Sequence, residues 1–156
     1  MKQWPPWSGT ANGMGASQRN KGKAAEVEVY HWLNETVATV VGHGKWFQRN
    51  QNQTASSGSD LSNPFRLSVE IKRHETLSIN QWWAQCVKSA KMEHGIPVLI
   101  YRQSRQPWRA VIEMIDCYGG IYTVTMSADN FETWLRNYVA RWVGSREDTI
   151  QKTPLS

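Results

Sequence analysis

The sequence predicts an α/β fold, a mixed central β-sheet with helices packed on its faces. Three observations lead there. Apolar residues recur at helical spacing over about 20–40, 79–93 and 128–143. Short apolar runs bounded by turn residues lie between them, at about 66–73, 96–101 and 108–115. The chain of 156 residues has no internal repeat, and it suffices for one domain that buries most of its apolar surface.

Residues 1–18 are rich in Pro, Gly, Ser and Asn and read as an irregular N-terminal arm. Trp4 and Trp7, in Trp4-Pro5-Pro6-Trp7, dock on the domain in the simplest reading; a partner subunit or unpaired bases are the alternatives. The domain itself spans 19–144, and 145–156 is a polar C-terminal tail. The first helix turns Ala24, Ala25, Val29, Trp32, Leu33, Val37 and Val40 inward, and Gly42 and Gly44 end it. Lys45 to Arg49 is strand-like, and 50–58 is a polar, turn-forming loop. Asp60 and Leu61 sit on a short strand, and Asn63-Pro64 makes a turn. The central strand runs from Arg66 to Arg73. Ser78 caps the second helix, with Trp82, Cys86, Val87 and Ala90 inward. Strands at 96–101 and 108–115 form a hairpin through 102–107, and Gly119-Gly120 precede a further short strand at 121–126. Ser127 caps the third helix, which buries Phe131, Trp134, Leu135, Tyr138, Val139 and Trp142 before Gly144 stops it.

The formal charge of +5 favours a polyanionic partner, although a basic balance alone is a weak signal. Cys86 and Cys117 are too few and too far apart for a zinc site or a disulfide framework, and the four histidines show no ligand spacing. No apolar run reaches membrane length and Met1 opens no signal-like segment, so a soluble, cytoplasmic protein is expected.

The chemistry concentrates in Val69-Glu70-Ile71-Lys72-Arg73. Side chains alternate along a strand, so Glu70 and Lys72 share one face while Leu67, Val69 and Ile71 face a core. Asp60 lies ten residues upstream, at the end of a Gly/Ser-rich loop. Two carboxylates and a lysine on one sheet face suit metal-assisted phosphodiester hydrolysis: the acids hold a hard cation through oxygen, and the lysine orients water. Glu-x-Lys on a strand is also a common surface ion pair of little consequence. Glu26 falls on the apolar stripe of the first helix, where a charge is costly unless paired or serving a metal; a solvated place in the first turns is the alternative. Glu28 is rotated off that stripe and reads as a solvated partner for a basic group, and it is the second choice for the role of Glu26.

Lys21-Gly22-Lys23-Ala24-Ala25-Glu26-Val27-Glu28, Gly58-Ser59-Asp60-Leu61, Val69-Glu70-Ile71-Lys72 and Gly95-Ile96-Pro97-Val98-Leu99 follow one another in this order. Together they resemble the PD-(D/E)xK nuclease superfamily, and within it the archaeal-type Holliday junction resolvases, over roughly 20–115. The resemblance implies a restriction-endonuclease-like core and a magnesium-dependent deoxyribonuclease acting on branched DNA, with manganese able to substitute. It implies catalytic roles for Glu26, Asp60, Glu70 and Lys72, and metal ligation by Asp60, Glu70, the Ile71 carbonyl and Glu26. Lys21, Lys23, Arg49, Arg73 and Gln81 would contact DNA, with Gln85 a second candidate glutamine. Paired cuts in a junction imply a homodimer. A recombination exonuclease, a flap or nicking enzyme, and a non-catalytic DNA-binding protein of the same fold are the alternatives. The chain departs from the superfamily pattern at Ser59, where proline is usual before the first acid, and in the short Asn63-Pro64-Phe65 turn.

Overall fold

The computed structural model describes residues 11–50 and 58–151, with side chains over 15–50 and 58–147. Helix α1 (Ala11–Val41) precedes two short strands, β1 (Gln48–Arg49) and β2 (Leu61–Ser62). Strand β3 (Leu67–Arg73), helix α2 (Ile79–Glu93) and strand β4 (Ile96–Arg102) form the centre. Strands β5 (Arg109–Ile115) and β6 (Ile121–Ser127) lead into helix α3 (Ala128–Gln151). The expected mixed sheet is present, with six strands in the order β1-β2-β3-β4-β5-β6. Its neighbours are antiparallel except β3 and β4, which run parallel from Leu67↔Ile96 to Arg73↔Arg102. Parallel neighbours need a long crossover, and α2 supplies it.

The pleat sorts side chains into two layers. Leu67, Val69 and Ile71 of β3 join Val98, Ile100, Ala110 and Ile112 in the main core, against Ala25, Val29, Leu33 and Val37 of α1 and Phe131, Leu135 and Val139 of α3. The opposite face carries a smaller cluster of Leu99, Tyr101 and Val111 beneath Trp82 and Cys86 of α2. Glu70 pairs in register with Leu99, and Lys72 with Tyr101, so both acid and amine lie on the α2 face.

Side chains finish what the short strands leave undone. Asn34, in the middle of α1, behaves as a strand partner for Phe47: its Oδ1 accepts the Phe47 N–H at 2.8 Å and its Nδ2 donates to the Phe47 carbonyl at 2.9 Å. Asn63 accepts from Phe65 and Leu67 N–H and donates to the Leu67 carbonyl at 2.7 Å, closing the turn into β3. Both asparagines satisfy backbone groups that a longer ladder would otherwise pair.

Several boundaries differ from the sequence expectation. Residues 11–18 are helical, not part of an irregular arm, while 1–10, with Trp4 and Trp7, lie outside the described residues. Helix growth onto a packed segment needs no new nucleus, which outweighs the cost of about 1 kcal/mol for each of Gly13 and Gly15. Likewise α3 passes through Gly144 to Gln151, so the predicted tail at 145–156 is partly helix. A single glycine weakens a helix without breaking it, and the next proline is Pro154. Here Arg146 lies over the Trp142 ring at 4.4 Å. Ala24 is exposed, not inward. Ser127 caps α3 through its hydroxyl, which accepts from Asn130 N–H, but Ser78 makes no side-chain capping bond to α2. Most of the 50–58 loop lies outside the described residues.

Phe65 is fully buried between Phe47, Trp46 and the Trp142 ring of α3, and Tyr138 Oη donates to its carbonyl at 2.7 Å. Phe65→Ala is therefore expected to lower the unfolding free energy by about 3–5 kcal/mol, read from urea denaturation.

Candidate active site

The site begins where β2 stops. The β2–β3 ladder is recorded at Leu61↔Val69, and Asp60 N–H still donates to the Val69 carbonyl at 2.8 Å. The amide of Ile71, two residues beyond Val69 on β3, donates to the Asp60 carboxylate: N–H to Oδ2 is 2.6 Å. A side chain thus takes the place of a ladder carbonyl. The Asp60 carbonyl in turn accepts Asn50 N–H at 3.0 Å, which ties the residue to the end of β1. Asp60 is held by its backbone on both sides and by its carboxylate in front.

Glu70 is only 6% exposed, and Lys72 Nζ lies 2.7 Å from its Oε1. Burying a carboxylate is costly unless it is paired, and Lys72 is the cation at hand. Beneath the acids the Cys86 thiol donates to the Ser68 carbonyl. Burial, followed by the nearby charge of Glu70 and more weakly of Asp60, pushes this thiol up to about 12.

A further acid supports the site from behind. Glu93, at the end of α2, accepts the Ser59 N–H at 2.6 Å on one carboxylate oxygen and the Ser68 hydroxyl at 2.9 Å on the other. It fastens the residue before Asp60 to the strand that carries Glu70. Gly58, at φ +121, brings the loop against it, and a Cβ there would stand 3.5 Å from Glu93 Oε1. Sequence reading missed Glu93. The available signal was an acid in the last turn of a helix, where the dipole disfavours it.

The remaining predicted residues are placed differently. Glu26 sits on α1, across the sheet, and both Arg49 Nε (3.2 Å) and Nη2 (2.8 Å) donate to its Oε2. Glu28 accepts a fork from Arg102 at 3.0 and 2.9 Å and the Trp108 indole N–H at 2.9 Å, fulfilling its expected pairing with a basic group. Lys21 lies 3.7 Å from Glu75. A hydrogen bond from Ser104 is the main influence holding the Glu75 carboxyl below its usual range, with Lys21 and Arg73 nearby adding to it. Arg73 is half-buried, and its Nε has no hydrogen-bond partner among the described residues. Lys23, Gln81 and Gln85 are exposed, and the exposed His74 ring packs 5.1 Å from that of Trp82. The structure brings together Asp60, Ile71, Glu70 and Lys72, and engages Glu26 with Arg49 instead. Among the described residues, no three His, Cys, Asp or Glu side chains are grouped to hold a metal.

A mixed sheet with this order of helices, and with an acid, an acid and a lysine converging across β2 and β3, defines the PD-(D/E)xK nuclease superfamily. The chain matches the family described as "Phage putative PDDEXK endonuclease" over residues 17–141, and it belongs to that family. No curated protein and no solved structure matches it. No helix among the described residues is long and apolar enough to cross a membrane.

Removing the Glu93 carboxylate leaves a backbone amide and a hydroxyl without their acceptor. Glu93→Ala is expected to cost about 1–3 kcal/mol of stability. It should also speed hydrogen exchange at the Ser59 amide more than at amides of α3, which NMR would measure.

Proposed function

We propose that this chain is a structure-specific DNA endonuclease that cuts branched DNA of the Holliday junction kind by phosphodiester hydrolysis, acting in the cytoplasm with magnesium, or manganese in its place. The observation that carries the reading is the Asp60 carboxylate bound to the Ile71 amide, beside the buried Glu70–Lys72 pair. This donor set fits a hard divalent cation: Asp60 and Glu70 offer carboxylate oxygens and Ile71 a backbone carbonyl. The chemistry such a cation supplies is neutralisation of charge on the phosphoryl oxygens and acidification of water.

The chain's own groups do the rest. Asp60 and Glu70 are held in place by the sheet, so their carboxylates need little reorganisation to meet a cation. Lys72 holds the attacking oxygen in line with the scissile bond through its ammonium group, while Glu70 keeps that ammonium in place. Glu26 is the third acid of the proposal, reaching the site when Arg49 turns to a phosphate. Lys21, Lys23, Arg49 and Arg73 contact the backbone, with Gln81 and Gln85 on α2, and such contacts position DNA without reading its sequence. Two symmetric cuts require two copies of the chain.

A labelled four-way junction and a linear duplex, incubated with magnesium and with EDTA, test the reading. Paired symmetric nicks in the junction are expected, lost with EDTA and reduced at least a hundred-fold in Asp60→Asn and Glu70→Gln. Cleavage of the linear duplex from its ends would favour a recombination exonuclease, and cuts at a single-strand branch a flap or nicking enzyme. Binding with no cleavage under any cation would overturn hydrolysis altogether.

Glu75 competes with phosphate for Lys21 and Arg73 in this proposal. Glu75→Gln should therefore tighten junction binding several-fold at low salt and steepen its salt dependence, measured by fluorescence anisotropy across a salt series.

A further inference from the structure

The outer edge of the sheet carries a second surface. Among the described residues no strand lies beyond β6. Edge strands in soluble proteins are blunted by shortness, proline, charge or a bulge, because their unpaired N–H and C=O groups template another strand. The opposite edge follows that rule, since β1 has two residues. β6 does not. Its seven residues, Ile121-Tyr122-Thr123-Val124-Thr125-Met126-Ser127, include no proline and no charge. Its register with β5 is unbroken from Arg109↔Ser127 to Ile115↔Ile121, so no bulge turns it aside.

The surroundings of this edge are apolar. Ile115 and Ile121, opposite one another in the hairpin, are 71% and 66% exposed, and Tyr118 at its tip is 94% exposed. The turn is well made, with Asp116 Oδ1 accepting Tyr118 and Gly120 N–H at 2.9 and 2.8 Å. Charge decides what this surface fits. From 113 to 127 the charged residues are Glu113 and Asp116, both acidic, in a chain of net +5. That disfavours a nucleic acid. It suits a second copy of the chain, because two copies repel least through the edge strand that lacks cations, the other edge carrying Arg49, and the acids beside it attract the basic remainder of the partner. Antiparallel pairing of a strand with itself is already two-fold symmetric, and a strand without charge opposes no like charges when it does so.

We infer that β6 is the seam of a homodimer, in which two copies pair antiparallel, edge to edge, about a two-fold axis near Val124 and form one continuous sheet. Thr123 then stands opposite Thr125 of the partner subunit, and the exposed hairpin side chains flank the seam. The inference is read from the sheet alone and does not rest on the nuclease reading, although it supplies the symmetric partner that junction cleavage calls for.

Sedimentation velocity of the full chain without DNA is the test. A species of twice the 17.9 kDa chain mass is expected at tens of micromolar. Thr123→Lys with Thr125→Lys, at two exposed positions, sets like charges against each other across the seam. It should weaken the dimer at least ten-fold while leaving the far-UV circular dichroism and thermal melt of the monomer unchanged. If that variant does not fold, hydrogen exchange on the unmodified chain decides: amides of 121–127 should lose protection on dilution. A monomer at a hundred micromolar, or a dimer indifferent to the double substitution, overturns the seam. So do β6 amides insensitive to dilution. Cleavage by such a monomer would leave the nuclease proposal standing, whereas a dimer that cuts nothing would leave the seam.

Discussion

The hydrogen bond from the Ile71 amide to the Asp60 carboxylate fixes the geometry on which the candidate site depends. It makes an acidic side chain part of the β2–β3 ladder at the point where regular pairing gives way. Asp60 comes from the end of a loop and would otherwise be free to choose among rotamers. Bound to the strand amide, it is carried to the backbone position immediately after Glu70. Two carboxylates so near repel one another. The Lys72 ammonium and the Glu93 clamp hold the two segments that carry them against that repulsion. Glu93 keeps its charge exposed to solvent, while an amide and a hydroxyl orient its two oxygens.

The acids of this protein divide by the kind of donor they meet. On the α1 side, Glu26 and Glu28 meet guanidinium groups, Arg49 and Arg102, which are strong, charge-compensating partners. On the α2 side, Asp60 and Glu93 meet amides and a hydroxyl, which orient a carboxylate without cancelling its charge. Among the described residues, the ion-pair partner of Glu70 is Lys72. The first arrangement is that of structural pairs near a surface. The second holds each carboxylate in a set direction through neutral donors.

Much of this was legible in the sequence, for identifiable reasons. The apolar periods place the helices and central strands, and the pleat rule puts Glu70 and Lys72 on one face. The position of Glu28 off the helix stripe foretold a basic partner, though not that Arg102 and Trp108 would share it. Legibility failed where a tertiary contact decides the outcome. The amide–carboxylate bond of Asp60 crosses from loop to strand and leaves no local pattern. Asn34 reads as an ordinary polar helix residue until Phe47 arrives beside it. The far ends of α1 and α3 extend past glycines that in isolation mark stops, because helix growth on a packed segment tolerates them.

Glu26 shows where a linear motif and a folded site part company. Its place in the chain, before Asp60, Glu70 and Lys72, is the one the superfamily pattern assigns to an acid. Its place in space is on the α1 layer, while Glu70 and Lys72 face α2, so the sheet stands between them except around its β1 edge. Arg49 occupies that edge, since β1 pairs with β2 at Arg49↔Leu61, the residue next to Asp60. Both of its donors fall on the same oxygen, Oε2 of Glu26. Arg49 thus compensates Glu26 from a strand position opposite Leu61, the neighbour of Asp60. Among the acids of the motif, Asp60 and Glu70 are those that the sheet itself sets in position, and Glu26 is the one whose position an exchangeable ion pair decides.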